Sequence, residues 1–208
     1  MRRRTLLLGV GIAAAGTALI GPGGRFASAQ NADMEVTDTD YVIGSPDAPV
    51  TMIEFASFTC PHCAAFHNET LPQIKTDYID TGIVRMVFRH FPLNGLDLQA
   101  GMMATCLGPD VYLRTTDVLF STQQEWLGAQ NQLGALSDIG RMAGLTDEAF
   151  SQCVNDQELA QQIVERRQHA IDTFNVQSTP TFVINGEVLS GNRPYDFWVE
   201  TFDRMAGS

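Results

Sequence analysis

The stretch EFASFTCPHCAAFH, residues 54–67, places Cys60 and Cys63 on either side of Pro61 and His62. Its setting in a strand–helix–strand run constrains the fold more than any other feature. VTMIEF (50–55) is a short apolar, β-branched run and reads as a buried strand. After the cysteines, Ala64, Ala65, Phe66, Leu71, Ile74 and Tyr78 recur at helical spacing, which predicts a helix over 61–80. Pro61 suits its first turn, where a missing N–H costs nothing, whereas Pro72 inside it predicts a kink or break. Thr81-Gly82 ends the helix, and IVRMVFRHF (83–91) alternates as a strand should. The result is a βαβ unit with C-x-x-C at the start of its helix.

From residue 95 strand signals vanish. Helical periodicity with turn punctuation predicts helices near 95–107, 110–122, 130–143, 146–154 and 156–174, with Thr146-Asp147-Glu148 as one helix start. TPTFVINGEVLSG (179–191) then reads as two strands around Asn185-Gly186, a strong hairpin signal, and a last helix runs from about Pro194 to Met205. The fold class is therefore α/β. The βαβ part (41–94) and the ββα part (175–208) can share one sheet, with a helical domain (95–174) inserted between them.

The first thirty residues have a basic start, an apolar middle and a small-residue end, the layout of a secretory signal peptide. Ala27-Ser28-Ala29 fits the cleavage site, so residues 1–29 are expected to be removed and 30–40 to form a loose leader. Arg3-Arg4-Thr5-Leu6-Leu7 partly fits a twin-arginine signal, leaving the Tat and Sec routes both open. An uncleaved anchor is the weaker reading, because the apolar run is short and glycine-rich. Residues 1–29 hold Arg2, Arg3, Arg4 and Arg25 and no acid, so their loss takes the formal net charge from −11 to −15. So acidic a chain argues against nucleic acid and anionic membranes as partners. Export places its four cysteines in an oxidising compartment.

A C-x-x-C can hold a metal, form a structural disulfide or serve as a redox dithiol. His67 follows Cys63 by four, but a structural zinc site needs four ligands, and His90 and His169 show no paired spacing. A disulfide closing so small a loop stabilises little. The redox reading has a physical basis. A helix N-terminus presents unpaired N–H groups and the positive end of the dipole, which favour an anion. Cys60 at that N-cap is expected to be the exposed, low-pKa nucleophile, with His62 as a nearby positive or dipolar partner. Cys63, one turn in, is expected to be the buried resolving thiol. Each unit by which the Cys60 pKa falls is about 1.4 kcal/mol of thiolate stabilisation. That favours the dithiol over the disulfide and makes the pair an oxidant.

EFASFTCPHCAAF, FRHFPL (88–93) and STPTFVINGEVLSG (178–191), in this order, resemble the DsbA family of thiol:disulfide oxidoreductases. The resemblance spans essentially the whole chain after the signal peptide. It implies a thioredoxin fold with an inserted α-helical domain, a periplasmic location, and an oxidase that gives its disulfide to reduced secreted proteins. It also implies reoxidation by a DsbB-like, quinone-linked membrane partner, with no metal or organic cofactor. By the same resemblance Glu54 is the buried acid that exchanges a proton with Cys63, and Thr179-Pro180 is a cis-proline loop that pairs with the substrate backbone. Cys106 and Cys153 fall in the helical insertion, in apolar text without neighbouring bases, and read as a structural disulfide. A loop of that length contributes roughly 4 kcal/mol on the chain-entropy estimate. Two buried free thiols or a second redox pair are the alternatives.

An isomerase or reductase on the same fold, for instance in cytochrome c maturation, is the nearest rival. Isomerases of this kind carry a dimerisation module ahead of the thioredoxin domain, and about twenty residues between the cleavage site and the first core strand leave no room for one. From other classes, a zinc-dependent binding module or a peptide-binding chaperone with incidental thiols would also need testing. Met102, Met103 and Met142 fit a substrate groove or, more simply, the core. Trp126 and Trp198 read as packing residues, and Phe55, Phe58 and Phe66 fit either core or docking surface.

Overall fold

The computed structural model describes residues 34–37 and 39–207; the expected signal peptide, its expected cleavage site and the first residues of the expected leader lie outside them. Five strands form one sheet in the order β1-β3-β2-β4-β5. They are β1 (Tyr41–Ile43), β2 (Val50–Ala56), β3 (Val84–His90), β4 (Thr181–Ile184) and β5 (Glu187–Ser190). Only β2 and β3 pair in parallel, Val50 opposite Val84 through Ala56 opposite His90, and the other pairs are antiparallel. Helix α1 (residues 61–79) makes the β2–β3 crossover. Between β3 and β4 lie α2 (Gly95–Cys106), α3 (Pro109–Ser121), α4 (Gln123–Gly128), α5 (Gln132–Ala143), α6 (Asp147–Val154) and α7 (Gln157–Phe174), and α8 (Tyr195–Ala206) ends the chain. This is a thioredoxin fold with a helical insertion. No helix among the described residues is long and apolar enough to cross a membrane.

Every residue of β2 is buried because the sheet is covered on both faces there. Met52 packs with Phe66 of α1 and with Trp198 and Phe202 of α8 on one side. Ile53 and Phe55 pack with Ala170 and Phe174 of α7 on the other. Beyond the C-terminal end of β2, Ala56, Phe58 and Cys63 join Met103, Tyr112 and Trp126 of the insertion in a third cluster. Phe55, Phe58 and Phe66 are thus core, as are Met102, Met103, Trp126 and Trp198. Met142 is not: at the end of α5 it is 78% exposed, because that face of the helix has nothing packed on it.

The turn between β4 and β5 has the positive φ angles that the sequence Asn-Gly favours, 46° at Asn185 and 93° at Gly186. The Asn185 side chain also accepts the Thr51 N–H at 2.9 Å, tying the hairpin tip to β2. Elsewhere the fold departs from the sequence reading. β1 has three residues and α4 six, too few for either periodicity to register. The end of the expected loose leader is anchored: Met34 is buried in the core, and Arg89 binds Asp40 through two nitrogens and also the Glu35 carbonyl.

Helix α1 does not break at Pro72. Two widened turns, Phe66–Thr70 and Lys75–Ile79, flank a short α segment. The Leu71 N–H reaches back five residues to the Phe66 carbonyl, and Asp80 does the same to Lys75 at 2.8 Å. The wider turn takes up the space that the proline ring needs, so the helix continues to its end.

Asp97, at the start of α2 and without exposed surface, joins sheet, insertion and the loop that precedes Cys60. One carboxylate oxygen accepts the Phe58 N–H at 2.9 Å and His90 Nε2 at 2.9 Å; the other accepts the Ser57 hydroxyl at 2.5 Å and the Leu93 N–H at 2.8 Å. Burial alone would raise its pKa, but His90 and these donors hold it below the usual carboxylate value. The α2 N-cap, Asn94, accepts the Asp97 N–H and donates to the Thr59 hydroxyl. Asp97→Ala strands several buried donors, and we expect it to lower unfolding free energy by about 3–5 kcal/mol in urea titrations. Asp138→Ala removes only an exposed partner of Arg141, and the expected loss is below about 1 kcal/mol.

Candidate active site

Cys60 is the N-cap of α1, in extended backbone, with Pro61 opening the helix. Its carbonyl already accepts the Cys63 and Ala64 N–H groups, so its side chain lies beside the unpaired start of the helix. Burial by itself would raise its pKa. The Cys63 thiol, hydrogen bonding from Thr179 and the backbone N–H groups of Cys63 and His62 outweigh it and bring the Cys60 pKa down to about 5. His62 therefore acts through its main chain, while its imidazole lies exposed.

Contrary to the sequence expectation, Cys60 is not exposed: it keeps 6% of its surface. Part of its surroundings comes from the other end of the fold. The Thr179–Pro180 bond is cis, and the Cys60 thiol lies 3.3 Å from the Thr179 carbonyl, to which it donates. The Thr179 hydroxyl is buried with no other partner and is the donor left for a thiolate. Cys63 has no exposed surface, and its thiol is pushed far up by burial first, then by Cys60 and by the charge of Glu54. Two thiols one helical turn apart are thus driven in opposite directions.

Glu54 lies on the β2 face beneath α1, fully buried. Its Oε2 is 2.8 Å from Nε2 of His67, whose side chain is 4% exposed. The sequence offered His67 only as a conceivable metal ligand; it is instead the acid's partner. Among the described residues no group of three or more His, Cys, Asp or Glu is placed to hold a metal. Gln123 was also missed: buried at the start of α4, it donates to the Phe58 carbonyl at 2.9 Å and the Cys60 carbonyl at 3.0 Å. No local pattern marks such a residue, since its partners lie more than sixty positions away. Cys106 and Cys153 are joined by a disulfide between α2 and α6, apart from the dithiol. A cavity of about 330 Å³ among Thr37, Tyr41, Arg89, Tyr112 and Arg166 includes neither Cys60 nor Cys63.

The sequence model of a thioredoxin family matches residues 36–204. A putative protein-disulfide oxidoreductase of Rickettsia felis is 31% identical over 163 residues, covering 78% of this chain and 58% of its own length. The chain therefore spans less than two thirds of that relative. Disulfide bond formation protein D of Bacillus subtilis is 29% identical over 172 residues, covering 78% of this chain and 75% of its own. The crystal structure of alpha-DsbA1 from Wolbachia pipientis superposes with a TM-score of 0.78 at 31% identity, covering 86% of this chain and 96% of that one.

The Cys60 pKa fixes a pH dependence. A thiol whose pKa falls on folding stabilises the fold as thiolate, fully above the unfolded pKa of roughly 8.5. That gain shrinks as pH falls and is gone below about 5. The melting temperature of the reduced protein relative to the oxidised one is expected to drop over this window. Iodoacetamide labelling of Cys60 should titrate near 5, and Thr179→Val should move that midpoint up.

Proposed function

Because the chain belongs to the DsbA branch of the thioredoxin family, we propose that it is a protein-disulfide oxidoreductase that donates its Cys60–Cys63 disulfide to reduced exported proteins in the periplasm. The observation that carries this reading is the opposed placement of the two thiols. The helix start, Cys63 and Thr179 stabilise a Cys60 thiolate, and that stabilisation belongs to the dithiol alone. A pair that is comfortable reduced gives its disulfide away.

In the proposed reaction a substrate thiolate attacks the Cys60 sulfur. The Cys60–Cys63 bond breaks, its electron pair goes to Cys63, and Cys63 takes up a proton. A second substrate thiolate then attacks the mixed disulfide, the substrate keeps the new disulfide, and Cys60 leaves as the thiolate that its surroundings favour. The Thr179 carbonyl lies 3.3 Å from the Cys60 sulfur, and an extended substrate segment would pair with the backbone there. Glu54 beneath the pair supplies the proton for Cys63. Cys106–Cys153, with Cys153 buried against the Met102 carbonyl, serves to hold α2 to α6. A quinone-linked membrane oxidase resembling DsbB would restore the disulfide.

The test is the redox equilibrium of the protein in glutathione buffers, read by alkylation of Cys60. The pair is expected to stay reduced until the buffer is strongly oxidising. Oxidation persisting into reducing buffers would replace the oxidase reading with a reductase one. Cys60→Ser should abolish oxidation of a reduced, unfolded test protein; a chaperone with incidental thiols would keep its activity.

A further inference from the structure

Cys63 and His67 are four residues apart on α1, a spacing that puts both on one helix face. Beneath that face lies Glu54, close enough that its charge raises the Cys63 pKa, with its Oε2 2.8 Å from Nε2 of His67. Each partner of the Glu54–His67 pair keeps one buried polar atom without a hydrogen bond, Oε1 of Glu54 and Nδ1 of His67. Such atoms are rare in a well-packed interior. A hydrogen-bonded pair with one open atom at each end is the arrangement needed to take a proton at one end and release it at the other. The surroundings are otherwise apolar: His67 stacks on Phe120 at 4.1 Å and meets the edges of Phe66 and Phe88. The charged group of α3 within electrostatic reach of His67 is Asp117, which is exposed and also feels Lys75 of α1.

We propose that Glu54 and His67 act as one proton-exchanging pair for Cys63, with His67, whose side chain keeps 4% of its surface exposed, as the positioning residue that links Glu54 to solvent. This rests on the oxidoreductase reading above. When the substrate sulfur bonds to Cys60 and the Cys60–Cys63 bond breaks, the electron pair left on Cys63 takes the proton of the Glu54 carboxyl. Glu54 recovers a proton through Oε2 from His67, and His67 regains one from water. The reverse transfers occur when Cys63 is reoxidised. The thiol is fully enclosed, so without such a path its charge would have no means of neutralisation inside the fold.

The test compares wild type with His67→Gln, which keeps a donor for Glu54 but cannot relay a proton. The probe is dithiothreitol, and the readout is the rate of cleavage of the Cys60–Cys63 disulfide across roughly pH 4 to 9, corrected for the thiolate fraction of the reagent. Wild type is expected to lose rate as the pair gives up its proton, and His67→Gln to show a flatter profile with a rate about tenfold lower near neutrality. Overlaying profiles overturn the proposal, and so does a drop by one factor at every pH, which marks a packing role. Should the variant not fold, the His67 imidazole titration by NMR in wild type decides. Different midpoints in the disulfide and dithiol forms support the relay, and one shared midpoint overturns it. If the wild type fails to oxidise reduced proteins, the oxidase reading falls while both His67 measurements remain readable.

Discussion

The first turn of α1 turns its backbone N–H groups towards Cys60, and those of Cys63 and His62 help to lower the pKa of its thiol. That constraint orders the rest of the site. A helix can begin at residue 61 because Pro61 needs no N–H partner and because Cys60 is still extended. One turn later the same helix carries Cys63 into the cluster behind Ala56, where the helix start no longer helps and burial dominates. The two sulfurs differ because the Cys63 thiol, Thr179 and the backbone N–H groups favour charge at Cys60, whereas burial, Cys60 and the charge of Glu54 oppose it at Cys63.

The parts of this arrangement written locally were legible in the chain. The βαβ unit, the C-x-x-C at its helix start, the Asn185-Gly186 hairpin and most of the inserted helices each have a short-range pattern. What could not be read was supplied by distant residues. Cys60, which looks exposed by its N-cap position, is buried in a cluster with residues of the insertion and meets Thr179, 119 positions on. His67 pairs with Glu54 across two elements, and nothing in either one's neighbourhood announces the other. Pro72 marks an irregularity whose form could not be read: a proline predicts strain in a regular helix, and here widened turns and not a break meet it. Strand β1 and helix α4 are simply shorter than the windows over which such periodicity is recognised.

The insertion is more than a lid set beside a thioredoxin core. Asp97 and Asn94 at the start of α2 bind the Ser57, Phe58 and Thr59 segment, and Gln123 at the start of α4 binds the carbonyls of Phe58 and Cys60. The segment that presents Cys60 is therefore suspended between β2, which delivers it, and two helix starts of the insertion, which hold it. Geometry at Cys60 is a property of both parts of the fold together.

The His90 side chain reaches Asp97 by passing directly over Gly101, where a Cβ would stand 2.1 Å from its Nδ1. A methyl group there and an imidazole at 90 cannot occupy the fold at once. Positions 90 and 101 are consequently a single unit of inheritance: a lineage that enlarges one must first shrink or redirect the other, and in doing so it gives up the histidine half of the Asp97 node. Across related chains, a side chain at 101 should occur only where histidine at 90 is absent or redirected.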